Sequence, residues 1–155
     1  MKQIFKYWYV GFFGFLILLQ FVQLDKTNPK FEKENDLIIS ANVKNDVAVI
    51  LKKACYDCHS SETVWPWYSF VAPISFLVTH DVNEGRAELN FSEWATYSVK
   101  RKSKKLTEIN EMVSTKEMPL PIYIPLHPEA DLTTDEINLL LDWSETEYQN
   151  FNSED

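Results

Sequence analysis

The chain has 155 residues and 18.2 kDa, enough for one domain with a real hydrophobic core. A formal net charge of -8 argues against nucleic acid as a partner. Aromatic residues reach 14%, while glycine is limited to Gly11, Gly14 and Gly85, a scarcity that disfavours a turn-rich β domain and favours helices.

The first element is apolar. From Tyr7 to Leu24 no side chain is charged. A helix of that length rises roughly 27 Å, close to the hydrocarbon thickness of a bilayer. Phe21, Val22, Gln23 and Leu24 make a poor cleavage site, and no cysteine follows to carry a lipid, so residues 1–25 read as an uncleaved anchor rather than a signal peptide. Tyr7, Trp8 and Tyr9 suit an interfacial belt. Lys2 and Lys6 precede the span and keep the N-terminus in the cytoplasm by the positive-inside rule. That places everything after Asp25 on the outer face of that membrane.

Residues 26–36, "KTNPKFEKEND", are polar and read as a tether. A domain is expected over 37–148, followed by a polar tail, 149–155. Val43, Val47, Ile50, Leu51 and Ala54 share one helical face, with Asn42 or Asn45 as cap; this helix leads to Cys55. A second helix is expected from Pro73 to Leu89, proline suiting the first turn. A third is expected after Ser92, running towards Met112 and carrying "KRKSKK", a solvated face or a contact for anionic lipid or an acidic partner. "MPLPIYIPLHP" cannot be helical. The last helix opens with Thr133 and Glu136 in capping-box spacing and buries Ile137, Leu140, Leu141 and Trp143.

The chemistry concentrates in "ACYDCHSSETVWPWYS". Cys55-Tyr56-Asp57-Cys58-His59 matches C-x-x-C-H, the attachment motif of a c-type haem. Two thiols one helical turn apart can each add to a porphyrin vinyl group, and the next residue projects an imidazole at the iron. A thioredoxin-like pair would need a βαβ context. A zinc site would have to recruit Cys55, Cys58, His80 and His127 at spacings unlike those of zinc modules. A plain disulfide leaves His59 unexplained. Trp65, Pro66, Trp67 and Tyr68 follow closely and read equally as covers for an apolar cofactor and as ordinary core residues.

The sequence resembles the bacterial haem-binding-domain family of single-C-x-x-C-H proteins with an N-terminal membrane segment. The likeness is carried by "ACYDCHSSETVWPWYSFVAPISFLVTHDVNEGRAELNFSEW" and "KEMPLPIYIPLHPEADLTTDEINLLLDW" and extends from Pro29 to Trp143. It implies an all-α, cytochrome-c-like haem domain with one covalently attached haem c per chain. Cys55 and Cys58 match the attaching thiols and His59 the proximal iron ligand.

For the second axial ligand, Met118 is favoured. Pro119 biases it towards an extended backbone, and Pro121 and Pro125 stiffen the segment. His127, His80 and an open position are the alternatives. The expected function is single-electron transfer between redox partner proteins, with no catalytic dyad or triad to indicate an enzyme. The acidic balance favours partners with a basic docking face. The alternative is a haem-based sensor or peroxidase-like protein with an open sixth position.

Overall fold

The computed structural model describes residues 7–153; Lys2 and Lys6, on which the expected membrane orientation rests, lie outside the described residues. The fold is all-α, and no strand occurs among the described residues. Among the described residues there are seven α-helices, several of them joined by short 3-10 turns: α1 (Trp8–Leu19), α2 (Leu37–Ser40), α3 (Asn45–Ala54), α4 (Tyr56–His59), α5 (Ile74–Glu88), α6 (Val99–Ser114) and α7 (Thr134–Ser153).

The expected membrane span is shorter than its apolar sequence. Helix α1 has 12 residues, which is roughly 18 Å of rise. Among the described residues no helix is long and apolar enough to cross a membrane. The chain leaves the helix because Phe21 and Val22 close 3-10-type bonds to Leu18 and Leu19. Gln20 then pairs its side-chain amide with the backbone of Ala72. None of the α1 residues is buried.

The stretch expected as a tether lies against the domain. Asn28 accepts from Arg86 and donates to the Thr63 carbonyl, 2.7 and 2.9 Å. Asp36 caps α2 by accepting from the Ile38 amide.

The core is built where α2, α3, α6 and α7 meet the 3-10 turn Phe91–Thr96. Leu37, Val47, Ile50, Leu51, Phe91, Trp94, Leu106 and Leu140 are its buried centre. Helix α3 turns the expected face inwards, except that Val43 precedes the helix and only packs against the core, and Ala54 is half-buried. Neither Asn42 nor Asn45 caps α3. Asn42 instead takes φ 47° just beyond α2, the left-handed position in which asparagine is tolerated, and Asn45 is already helical.

Helix α5 begins one residue after Pro73, as the first-turn preference of proline suggests. Ser92 does not cap α6. Its hydroxyl accepts from Ser61 N, and Ser98 caps the helix through Arg101 N. Within the basic run Lys105 is buried and bonded to Glu108 and Glu88, while Arg101 lies 3.9 Å from the Tyr97 ring centroid. Helices α6 and α7 run antiparallel, with Asn110 bonded to Leu141 O and Ser144. The capping box of α7 forms: Thr133 N donates to Glu136, and Glu136 N donates to the Thr133 hydroxyl. The helix continues through Ser153, into the segment expected as a polar tail.

Candidate functional site: a haem cavity

Helix α4 is a single turn, and the C-x-x-C-H motif is that turn. His59 N and Cys58 N both donate to Cys55 O, 2.9 and 3.2 Å. Its two intervening residues have opposite duties. Tyr56 is buried, stacks on Phe91 at 5.2 Å and donates to Asp36, fixing the turn to the core. Asp57 faces the other way, into a cavity of about 530 Å³.

That cavity is lined by Cys58 and His59 from α4, by Ile74, Leu77, Val78, Val82 and Gly85 from α5, and by Met118, Leu120, Ile122, Tyr123 and Leu126 from the proline-rich strap. Cys55 does not line it; its side chain is half-buried and packed against the core. Both thiols are free. Burial pushes Cys55 up to about 12 and Cys58 up to about 11, so both are held as thiols.

His59 is set by α5. Its Nδ1 lies 3.0 Å from Gly85 O and 3.0 Å from Leu89 O. Carbonyls only accept, so Nδ1 carries the proton, and Nε2 is the nitrogen left with a lone pair for a ligand. Burial holds the ring below the ordinary histidine range, against the pull of those two bonds. Gly85 makes this approach feasible. A Cβ there would stand 2.8 Å from Cys58 O. A glycine within a helix costs about 1 kcal/mol against alanine, so the close α4–α5 crossing accounts for it.

Met118 reaches the cavity because α6 ends abruptly. Lys116 takes φ 59°, and Glu117 N and Met118 N both bond to Met112 O. The two competing histidines are otherwise engaged. His80 is exposed on α5, 3.1 Å from Glu84, and does not line the cavity. His127 Nε2 is 2.6 Å from the Tyr68 hydroxyl and its Nδ1 is 3.0 Å from Glu129, while Tyr123 stacks flat on the ring at 3.9 Å.

Trp65 and Trp67 do not line the cavity. The chain from Glu62 to Pro66 has no regular secondary structure, and Trp67 opens the 3-10 turn Trp67–Phe70. Val64, Pro66 and Tyr68 meet the cavity, and the two tryptophans point away, Trp67 being 77% exposed. Of the four residues expected as covers, Pro66 and Tyr68 line the cavity, while Tyr123, Asp57 and Gly85 were missed by sequence reasoning. Asp57 Oδ2 accepts from Tyr123 and Oδ1 from Val64 N, 2.8 and 2.9 Å, joining strap, motif and loop. The isolated position of Gly85 in the sequence was the one available signal.

The chain matches the haem-binding domain family over residues 14–146. It belongs to that family. No curated protein and no solved structure matches it. The rivals to a haem find no support in the geometry: the βαβ context of a thioredoxin is missing from the described residues, and His80 and His127 are held away from the thiols. The cavity fits the family's ligand. Its walls are mostly aliphatic, a histidine with one uncommitted nitrogen lines it, a methionine lines it from another segment, and a thiol stands at its edge.

Proposed function

We propose that this haem-binding domain carries one haem c, attached through Cys55 and Cys58, with His59 and Met118 as axial ligands, and passes single electrons between redox partner proteins outside the cytoplasm. The observation that carries the reading is the pairing of His59 and Met118 on one cavity, with His59 Nδ1 committed to two carbonyls. A bound haem supplies a one-electron Fe(III)/Fe(II) couple. The chain's own residues orient the imidazole, exclude water with aliphatic walls, and hold the methionine strap in place through Tyr123 and Asp57. Were His59 and Met118 both to hold the haem iron, no open position would remain, which favours electron transfer over a sensor or peroxidase role.

Helix α1 is read as part of a membrane anchor for a domain on the periplasmic face of a bacterial inner membrane. Its support is the charge-free run from Tyr7 to Leu24 and the exposure of the large apolar side chains along the helix except Leu16 and Leu19, which are half-buried.

The test is a haem stain of the denatured protein on a gel, for wild type, Cys55→Ser and Cys58→Ser. Thioether links survive denaturation, so wild type should stain and each variant should stain less. A wild type that loses all haem on denaturation, yet binds it when folded, would reduce the proposal to non-covalent binding.

A further inference from the structure

We propose that the loop Trp67–Ile74 and the foot of α1 form one apolar face that beds into the lipid–water interface and holds the haem cavity at a fixed orientation against the bilayer. This rests on the anchor reading above.

The two segments are 52 residues apart in sequence and are tied at two points. Gln20 Nε2 donates to Ala72 O and Ala72 N donates to Gln20 Oε1, both at 3.0 Å. The tie sets the loop beside the end of the helix. The loop faces in two directions. Tyr68, Ser69 and Ala72 are buried. Trp67, Phe70, Val71 and Ile74 are 77%, 60%, 42% and 45% exposed, and Phe21 beside Gln20 is 77% exposed. Apolar side chains gathered this way on a surface call for a covering.

Charge identifies the covering. The chain carries a formal net charge of -8, yet no charged residue occurs from Thr63 to Thr79. A cation at the face is Lys26, whose Nζ lies 5.0 Å from the Phe70 ring centroid and 5.9 Å from that of Trp65. Exposed tryptophan and phenylalanine with a lysine at the edge, continuous with an apolar helix, is the composition that settles at headgroup level. A lipid interface therefore suits this face better than a charged protein surface. Ile74 also lines the cavity, so one lip of the haem site borders the bilayer. The chain between anchor and domain is then a fastening rather than a free leash.

The full-length, haem-loaded chain should be placed in detergent-free phospholipid vesicles containing a lipid with a photoactivatable diazirine near the headgroup end of its acyl chain. Adduct sites are then located by mass spectrometry. Adducts are expected both on the peptide holding Trp67–Ile74 and on the α1 peptide. In Gln20→Ala the loop adducts should fall several-fold while those on α1 persist. Adducts on α1 alone would overturn the proposal and leave the anchor standing. Release of the chain by alkaline carbonate, with adducts on neither peptide, would overturn the anchor and the proposal together. A loop without adducts in vesicles but shielded from oxidation in native membranes would assign the face to a protein and overturn the proposal.

Discussion

Gly85 and Cys58 touch backbone to backbone: a Cβ on Gly85 would stand 2.8 Å from Cys58 O and 3.2 Å from Cys58 Cβ. This contact lets the α5 carbonyls reach His59, so the position couples helix packing to ligand orientation. Alanine is the better helix former by about 1 kcal/mol. Gly85→Ala should nevertheless destabilise the fold by on the order of 1–3 kcal/mol, the cost of overpacking. It should also lower the haem content of purified protein. Denaturant unfolding and haem-to-protein absorbance check the two effects; a more stable variant with full haem would mean that α5 can step away from α4 freely.

Met118 shares the cavity with His59, and neither His80 nor His127 lines it. Met118→Ala should therefore abolish the weak far-red sulfur-to-iron band of the ferric protein. The reduced variant should bind carbon monoxide at once, where wild type resists it. His127→Gln and His80→Gln should leave that band in place. Loss of the band in His127→Gln with Met118 intact would give the sixth position to the histidine.

Tyr123 fastens the strap that carries Met118. Its hydroxyl donates to Asp57 Oδ2 at 2.8 Å, and its ring lies on His127 at 3.9 Å with 4° between planes. A hydrogen bond to a charged acceptor contributes about 1.5–3 kcal/mol. In Tyr123→Phe the ring stacking is kept and only that bond is lost. Haem content should match wild type, while carbon monoxide binding to the reduced protein should rise roughly tenfold as the strap opens more often. An unchanged binding rate would show that the strap is held by its prolines and aliphatic contacts alone.

The candidate attachment motif was legible in the sequence because it is local. Cys55, Cys58 and His59 fall within one turn, and that turn forms as a turn of helix. Pro73 and the Thr133–Glu136 pair fixed two helix starts for equally local reasons. What the sequence hid was direction and distance. Trp65, Pro66, Trp67 and Tyr68 looked like cofactor covers by size, but of these four Pro66 and Tyr68 line the cavity, while Trp67 is exposed and Trp65 packs its ring under Lys26. Asp57 was an unremarked member of the motif until the strap, 66 residues on, placed Tyr123 against it. Ser92 carried a good cap signal, yet the chain used that hydroxyl for a long-range bond to Ser61, and α6 began six residues later at its own serine. The charge-free run from Tyr7 to Leu24 measured composition, whereas α1 ends where Gln20 finds Ala72.

Glu136 links the capping box of α7 to α3, and its charge has a definite pH signature. The carboxylate accepts from Lys53 Nζ and from Thr133 N, and these bonds, that to Lys53 foremost, hold its pKa below the ordinary glutamate value of 4.5. In the window between the folded pKa and 4.5 the unfolded chain binds more protons than the folded one, so stability rises with pH there. The contribution is complete above the unfolded value and is lost as pH falls through the folded value. The side chain is 27% exposed, so solvent screening limits the ionic part to about 1 kcal/mol or less. Glu136→Gln keeps an acceptor for the capping box and removes only the charge. Wild type should therefore exceed the variant in denaturant midpoint at pH 7, with the gap closing as pH falls below about 4.5. The haem spectrum should be the same in both proteins. A gap that persists unchanged at low pH would mean that the hydrogen bonding of the amide, rather than the ion pair to Lys53, separates the two proteins.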